Sequence, residues 1–435
     1  MRFECSLEEY KKYKLGELVE NVVAGATPKT SVDDYWNGGD IPWLSSGEVH
    51  KKFIYFTDKF ITSEGYNNSS TKIVPTNSVL IALAGQGKTR GTVAINKIEL
   101  CTNQSIASII PNEMLNYKYL FYYLESKYEY LRALSSSDGG RGGLNLKLIR
   151  SIPIQVPSIK EQENISNFIN EIDKKILLLE QKHKLYDDFK KYLMQQIFTQ
   201  KLRFKSADGE QYSDWKERNL YEFLTEHKLK STGNEEVYSV SVHKGLVNQK
   251  EHLGRDFSAP DTSKYNLVKP GDIVYTKSPT GDFPLGIIKQ SRVDKNVIVS
   301  PLYGVFTPET YALGYILNDY FESNVNTHNY LHPIVQKGAK NTMNITNKTF
   351  LSKTLFVPTD VNEQQKIAEC FSKVNDSIRN IEIQQNKVNE FKKGLLQQMF
   401  IVRINWRCNF KLAKSPSFNK HLLILKNKII FIIIE

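Results

Sequence analysis

One pattern of apolar residues is written twice in this chain, and any fold must accommodate both copies. Alternating steps of four and three residues from Ile165 pass through Ile169, Ile172, Ile176, Leu179, His183, Tyr186, Lys190, Leu193 and Ile197. The same steps from Ile367 pass through Phe371, Val374, Ile378, Ile381, Gln385, Val388, Lys392, Leu395 and Met399. Such spacing is the seam of a coiled coil, because it returns apolar side chains to one helix face. The copies stand 202 residues apart, from Glu161 to Glu363 (363 − 161) and from Phe198 to Phe400 (400 − 198). Even the polar interruptions coincide, His183 with Gln385 and Lys190 with Lys392. Polar seam positions cost stability, and they fix register or face a polar partner.

Each run begins after a proline, Pro157 or Pro358, and ends on a shared pattern, FKKYLMQQIF against FKKGLLQQMF. Proline biases its neighbours away from helix, which suits a strand-to-helix exit. Glu161, Glu163 and Glu363 fall in the first turns, where the helix dipole favours a carboxylate. About 40 helical residues make a rod roughly 60 Å long. A rod of that length needs a partner along it, and two rods with matching gaps are shaped for each other or for one kind of partner.

What precedes the rods is also duplicated. At 435 residues and 50.0 kDa there is room for about three domains of 100 to 200 residues. Tyr10 to Glu20 (YKKYKLGELVE) resembles Trp215 to Leu224 (WKERNLYEFL). IPWLSSGEV, from Ile41 to Val49, reads as a strand ending in a loop, and Tyr238 to Leu246 (YSVSVHKGL) takes its place in the second half. Pro75 to Ile81 (PTNSVLI) matches Pro270 to Tyr275 (PGDIVY) as a turn followed by a strand. Glycine-bearing loops follow, ending at Gly91 and Gly286, so each half carries a hairpin with a polar tip. Strands at Ser105 to Pro111 and Val299 to Pro308 lead into aromatic helices expected over Tyr117 to Tyr130 and Tyr311 to Val325. GGRGGLN and KGAKNTMN then precede a last strand and the rod. The order is globe, rod, globe, rod, with a period near 200 residues.

Composition narrows the class. The 40% apolar and 11% aromatic content suffices for real cores. Cys5, Cys101, Cys370 and Cys408 are scattered without metal-ligand spacing, so neither a disulfide framework nor a zinc site is expected. MRFECSLEEYKKYK has no apolar signal region, and a cytoplasmic protein is expected. The net charge is +11, of which residues 401–435 hold +6, from seven basic residues against Glu435. The remaining excess permits nucleic-acid binding without demanding it. That tail has no repeat partner, and its apolar end, broken by KNK, is too short for a membrane span.

Catalytic constellations are absent. ALAGQGKT, from Ala82 to Thr89, satisfies a relaxed phosphate-loop pattern, but such a loop must open a helix and RGTVAI follows. Lys88, Thr89 and Arg90 at a hairpin tip suit the DNA backbone or the O6 and N7 edge of guanine instead. There is no amino-methyltransferase tetrapeptide, no GxGxxG loop and no histidine at metal spacing beside acids.

The duplicated order carries a family resemblance across residues 1 to about 400. KEQENI and NEQQKI at the rod starts, the two QQ-phenylalanine ends, the VP steps, and IPWLSSGEV with GQGKTRG and YSVSVHKGL with KPGDIVYTK resemble the specificity (S) subunit of type I restriction-modification systems. The resemblance implies an α+β fold in which two similar α/β target recognition domains are separated by two long helices. Those helices form an antiparallel coiled coil, and a pseudo-twofold internal repeat relates the halves. The implied division is residues 1–157, first recognition domain; 158–205, central helix; 206–358, second recognition domain; 359–400, distal helix; and 401–435, an atypical tail.

The resemblance also implies a non-catalytic chain that reads a bipartite target on double-stranded DNA. It would dock two methyltransferase subunits and the restriction and motor subunits, with S-adenosylmethionine, ATP and magnesium on those partners and no cofactor of its own. Two unlike globes on paired rods suit unlike half-sites, as symmetric dimers suit like ones about 34 Å apart. Candidate DNA contacts in the first globe are Ser45, Ser46, Gln86, Lys88, Thr89, Arg90 and Arg141. In the second they are His243, Lys244, Lys277, Ser278, Thr280, Lys337, Lys340 and Asn341. The alternatives are a coiled-coil scaffold that never touches DNA and a phosphate-loop NTPase.

Overall fold

The computed structural model describes residues 10–85, 87–134, 143–253, 261–278, 280–337 and 343–400. Strands and short helices precede each of two 40-residue helices, Ile159–Phe198 and Val361–Phe400, which gives an α+β chain built twice. Two compact units result: the described residues up to 178 together with those from 385 onward, and residues 179–384. Each unit therefore contains half of each long helix.

In the first unit a five-stranded sheet runs in the order Val19–Ala24, Ile106–Pro111, Val79–Ala82, Val93–Asn96, Phe53–Ile54. Its central strands, VLIA and VAIN, are buried on both faces, which explains their unbroken apolar sequence. Alternation assigns the faces. Val79, Ile81, Val93 and Ile95 pack with Tyr119, Phe121 and Leu124 of the helix Tyr117–Ser126, whereas Leu80, Ala82 and Ala94 pack with Leu44, Val49 and Ile54.

The second unit repeats this plan with four strands, in the order Leu224–Glu226, Gly304–Pro308, Ile273–Tyr275, Ile288–Gln290. The register is conserved between units: Val79 lies opposite Ile109 and Ile95, and Ile273 lies opposite Phe306 and Gln290. In both, an early strand returns to the strand before the rod, Lys11–Lys14 against Pro153–Val156 and Lys216–Asn219 against Thr354–Val357. The aromatic helices are shorter than the sequence predicts. They end at Ser126 and Glu322, and separate helices Tyr128–Leu134 and Asn324–Leu331 follow. The second break has a local cause, because the Ser323 side chain caps the new helix by accepting from the Asn326 N–H.

Within each unit the long helices run antiparallel. Ile165 and Ile169 share a core with Leu396 in the first unit, and Leu193, Met194 and Ile197 share one with Ile367, Phe371 and Val374 in the second. Ile172, Leu179 and Ile381 are buried, and Ile378 is partly so. Ile176 is half-buried, and Leu396 sits deeper than Leu395. The closing phenylalanines explain the shared QQ-phenylalanine ends. Phe400 packs edge-on against Tyr119, and Phe198 packs edge-on against Tyr320, so each seals an aromatic helix against a rod.

The rod starts are anchored by the glutamines of the two EQ steps, both buried. Gln162 Nε2 donates to the carbonyls of Met114 and Pro157, and its Oε1 accepts from Asn116 N–H. Gln364 Nε2 donates to Pro358 O while its Oε1 accepts from the Thr310 hydroxyl. Asn116 and Thr310 are the N-caps of the two aromatic helices, so one side chain ties sheet exit, rod and helix together in each unit. Glu363, fully buried, is held by Arg203 at 2.9 Å and by Trp215 Nε1 at 3.1 Å.

Candidate nucleic-acid interface

The polar tips sit where strands of these sheets end. In the first unit Ile41–Leu44 stops at Ser45, which caps a 3-10 turn over Ser46–Lys51. Ser45 donates its N–H and hydroxyl to Glu48 at 3.1 and 3.0 Å, and Lys51 reaches the same carboxylate at 3.1 Å. The Ser45 hydroxyl is thus engaged internally, and Ser46 is half-buried beside it. The S-x-x-E spacing is a capping-box signal that could have been read directly.

The loop after Val79–Ala82 turns back into the strand Val93–Asn96, so no helix opens on the phosphate-loop pattern. Gly91 closes this hairpin at φ 83°, a backbone that disfavours a side chain. The helix Tyr128–Leu134 grips the tip: Tyr128 Oη donates to Lys88 O at 2.8 Å and Arg132 Nη1 to Gly87 O at 2.6 Å. The loop is held by its carbonyls, which leaves the Lys88 side chain exposed and those of Thr89 and Arg90 half-buried. Tyr128 and Arg132 were not legible as loop supports, because they lie 40 and 45 residues from the carbonyls they hold.

In the second unit His243 and Lys244 are exposed in the turn between Tyr238–Ser241 and Gly245–Asn248. Ser278 and Thr280 are exposed, and Thr280 is paired with Phe283 through two backbone hydrogen bonds of 3.1 and 2.7 Å. Lys277 differs from its neighbours. It adopts φ 54°, it is half-buried, and burial pushes its ammonium below the usual lysine range, with Glu226 opposing part of that effect. Lys337 lies in a short strand, Gln336–Lys337, paired with Met343–Asn344. Gln86, Arg141, Lys340 and Asn341 fall outside the described residues.

Among the described residues no group of three or more histidines, cysteines or carboxylates could hold a metal ion. No helix among them is long and apolar enough to cross a membrane.

Residues 7–185 match the type I restriction modification DNA specificity domain. The chain is 29% identical over 151 residues to the EcoR124I/EcoR124II type I restriction enzyme specificity subunit of Escherichia coli, covering 34% of this chain and 37% of that one. It is 28% identical over 259 residues to the MjaIX specificity subunit of Methanocaldococcus jannaschii, covering 53% and 58%. The matched stretches thus span between 37% and 58% of these relatives' lengths. In fold it is similar to a type I restriction-modification S subunit from M. genitalium, with a TM-score of 0.57 at 13% identity over 93% of this chain and 99% of that one. Together with the twice-built sheet, glutamine-anchored rods and polar tips, these matches make the chain similar to the specificity subunits of type I restriction-modification systems, with residues 7–185 matching their DNA specificity domain.

Proposed function

We propose that this chain reads an asymmetric, bipartite DNA target, one half with the tips of each unit, and performs no catalysis itself. One observation carries the reading: the two units share sheet order and register while their tip residues differ, with Lys88, Thr89 and Arg90 on one side and His243, Lys244 and Lys277 on the other. A scaffold serving only to join rods has no use for one frame carrying two unlike sets of basic loops. Outer faces of the long helices would dock methyltransferase subunits, and the assembled complex would recruit the restriction and motor subunits. S-adenosylmethionine, ATP and magnesium would belong to those partners.

The test is to combine the full chain with its methyltransferase subunits and map the adenines they methylate, alongside a footprint at rising salt. Two protected patches with unlike sequences, selective at each salt concentration, are expected. Retention only at low salt with no sequence preference would favour a scaffold. Within that assay Lys88→Ala should weaken all targets alike and reduce the salt slope by about one. Arg90→Ala should cost roughly 1 to 3 kcal/mol on targets carrying its base and little on others.

A further inference from the structure

The two units differ at one place where the fold itself requires no difference. Val22 lies opposite Ile109, and Glu226 lies opposite Phe306, at equivalent points of equivalent sheets. Leu83 and Lys277 each follow the residue whose N–H closes the hairpin, Ala82 on Thr92 O and Thr276 on Ile287 O, both at 3.0 Å. Leu146 and Asn347 each open a five-residue helix, behind the capping side chains of Asn145 and Thr346. In the first unit all three positions are apolar: Val22 and Leu83 are buried in the core, and Leu146 packs against it. In the second unit the same three positions hold a carboxylate, an ammonium and an amide.

This polar set is incomplete among the described residues. Asn347 Nδ2 donates to Glu226 Oε1 at 2.8 Å, but Asn347 Oδ1 is buried with no donor among them. Lys277 is half-buried in a left-handed backbone that a lysine rarely adopts, near Glu226. Sparsely populated backbone and unsatisfied buried polar atoms each cost stability, and they persist where a function holds them. The first unit shows that apolar residues build this junction without that cost.

We propose that Lys277, with Glu226 and Asn347 behind it, is the base-reading element of the second unit and takes the edge of a base pair rather than a phosphate. This deepens the function proposed above and rests on it. A phosphate offers only acceptors and would be repelled by the Glu226 carboxylate beside the lysine. A major-groove edge that presents an acceptor beside an amino group, as adenine does with N7 and N6 or a G·C pair with O6 and N4, offers something to both the ammonium and the acceptors. Lys277 is the contacting residue; Glu226 and Asn347 are positioning residues.

The experiment selects from a randomised DNA duplex library with the full chain bound to its methyltransferase subunits. Lys277→Leu should reduce discrimination at one position of one half-site by about tenfold to a hundredfold and leave the other half-site unchanged. Glu226→Gln and Asn347→Leu should alter preference at that same position. The triple variant K277L/E226V/N347L installs the first unit's residue types, so it should melt at or above the parent while losing the preference. A uniform loss of affinity across all sequences on Lys277→Leu would make it a phosphate contact and overturn the assignment, as would unchanged preference at every position. Should the parent chain itself select two half-sites in either case, only this assignment falls; should it select none, the proposed function falls with it.

Discussion

The two buried lysines that interrupt the seam do the same work in different surroundings. In the first unit Lys392, 8% exposed at its side chain, lies between Asp173 at 2.7 Å and Glu125 at 2.8 Å, and Lys52 meets Glu125 from the other side at 2.7 Å. In the second, Lys190, 13% exposed, lies between Glu322 at 2.5 Å and Asp319 at 3.5 Å. There Lys289 also reaches Glu322 at 2.8 Å, Arg292 approaches Asp319 at 3.8 Å, and Asn375 donates to Asp319 at 3.2 Å. Asn375 stands where Asp173 stands one repeat earlier, and Asp319 stands where Tyr122 does, three residues before the glutamate. The carboxylate has moved from the long helix to the aromatic helix while the lysine stayed. What the frame conserves is a cation at that depth of the seam, fastening globe to rod; which element supplies the counter-charge is free to change.

The largest test of that difference is removal of each lysine. Breaking a buried pair by deleting one partner typically costs about 3 to 5 kcal/mol, because the other charge is left uncompensated. Lys392→Met should reach that range, since among the described residues Asp173 then keeps no ion pair within 4 Å and Glu125 keeps only Lys52. Lys190→Met should cost about 1 to 3 kcal/mol, since Glu322 keeps Lys289 and Asp319 keeps Arg292 and Asn375. Urea denaturation of the full chain, with hydrogen exchange reporting each unit separately, gives both values. Equal losses would mean that the extra cations of the second unit do not share the load.

The glutamine anchors come next. Gln162→Ala removes three hydrogen bonds and leaves two carbonyls and one N–H to find new partners, whereas Gln364→Ala removes two. At about 1 to 3 kcal/mol for an unsatisfied buried group, Gln162→Ala should be the more damaging, by up to about 1 kcal/mol. A reversed order, read from the same denaturation curves, would show that the Thr310 cap depends on Gln364 more than the Asn116 cap depends on Gln162.

Much of this frame was legible in the sequence, and the limit has a physical reason. The repeat offset placed the rods, their starts and their ends, since helical spacing and duplicated order are local signals. The gaps at Lys190 and Lys392 were visible as gaps. Their partners were not, because Glu125 lies 267 residues from Lys392 and Asp319 lies 129 from Lys190, and only sheet register brings them together. The candidate site divides in the same way. Lys277 stands out as a basic loop residue, yet the Glu226 carboxylate that acts on it comes from a strand and is itself bonded by Asn347, from a helix 121 residues away. The helix grip on the first unit's loop by Tyr128 and Arg132 is invisible for the same reason.

Acid should separate the two nodes by a smaller margin. Burial alone would raise the Glu125 carboxyl, but Lys392 and Lys52 overcome this and hold it below its ordinary 4.5. Its stabilising contribution is therefore present above about pH 4.5 and lost as pH falls through the depressed folded value. In the second unit burial, opposed by Lys190, leaves Asp319 above its ordinary 3.8, while Glu322, which burial would raise, is held low by Lys289 and Lys190. Those two shifts have opposite signs, so protonation relieves one while it weakens the other. Between pH 6 and 3.5 the urea midpoint of the first unit should fall more than that of the second, and Glu125→Gln should flatten the first. Parallel declines would show that the displaced carboxylate carries no electrostatic consequence.

The smallest effect is expected at another seam interruption, His183, and it defines what the lysines are not. His183 Nδ1 lies 3.0 Å from Asp187 and Nε2 lies 3.3 Å from Glu382, with about a quarter of the imidazole exposed (26%). Both carboxylates are far more solvated than those around the lysines, at 41% and 54% exposed. Screened pairs of this kind are worth about 0 to 1 kcal/mol, and an apolar residue at a seam position recovers comparable free energy by burial. His183→Leu should therefore shift stability by no more than about 1 kcal/mol in either direction, at any pH where the lysine variants show their full loss. A loss above about 2 kcal/mol on the same curves would place His183 with the buried anchors, and depth in the seam would no longer distinguish a fastening from a solvated gap.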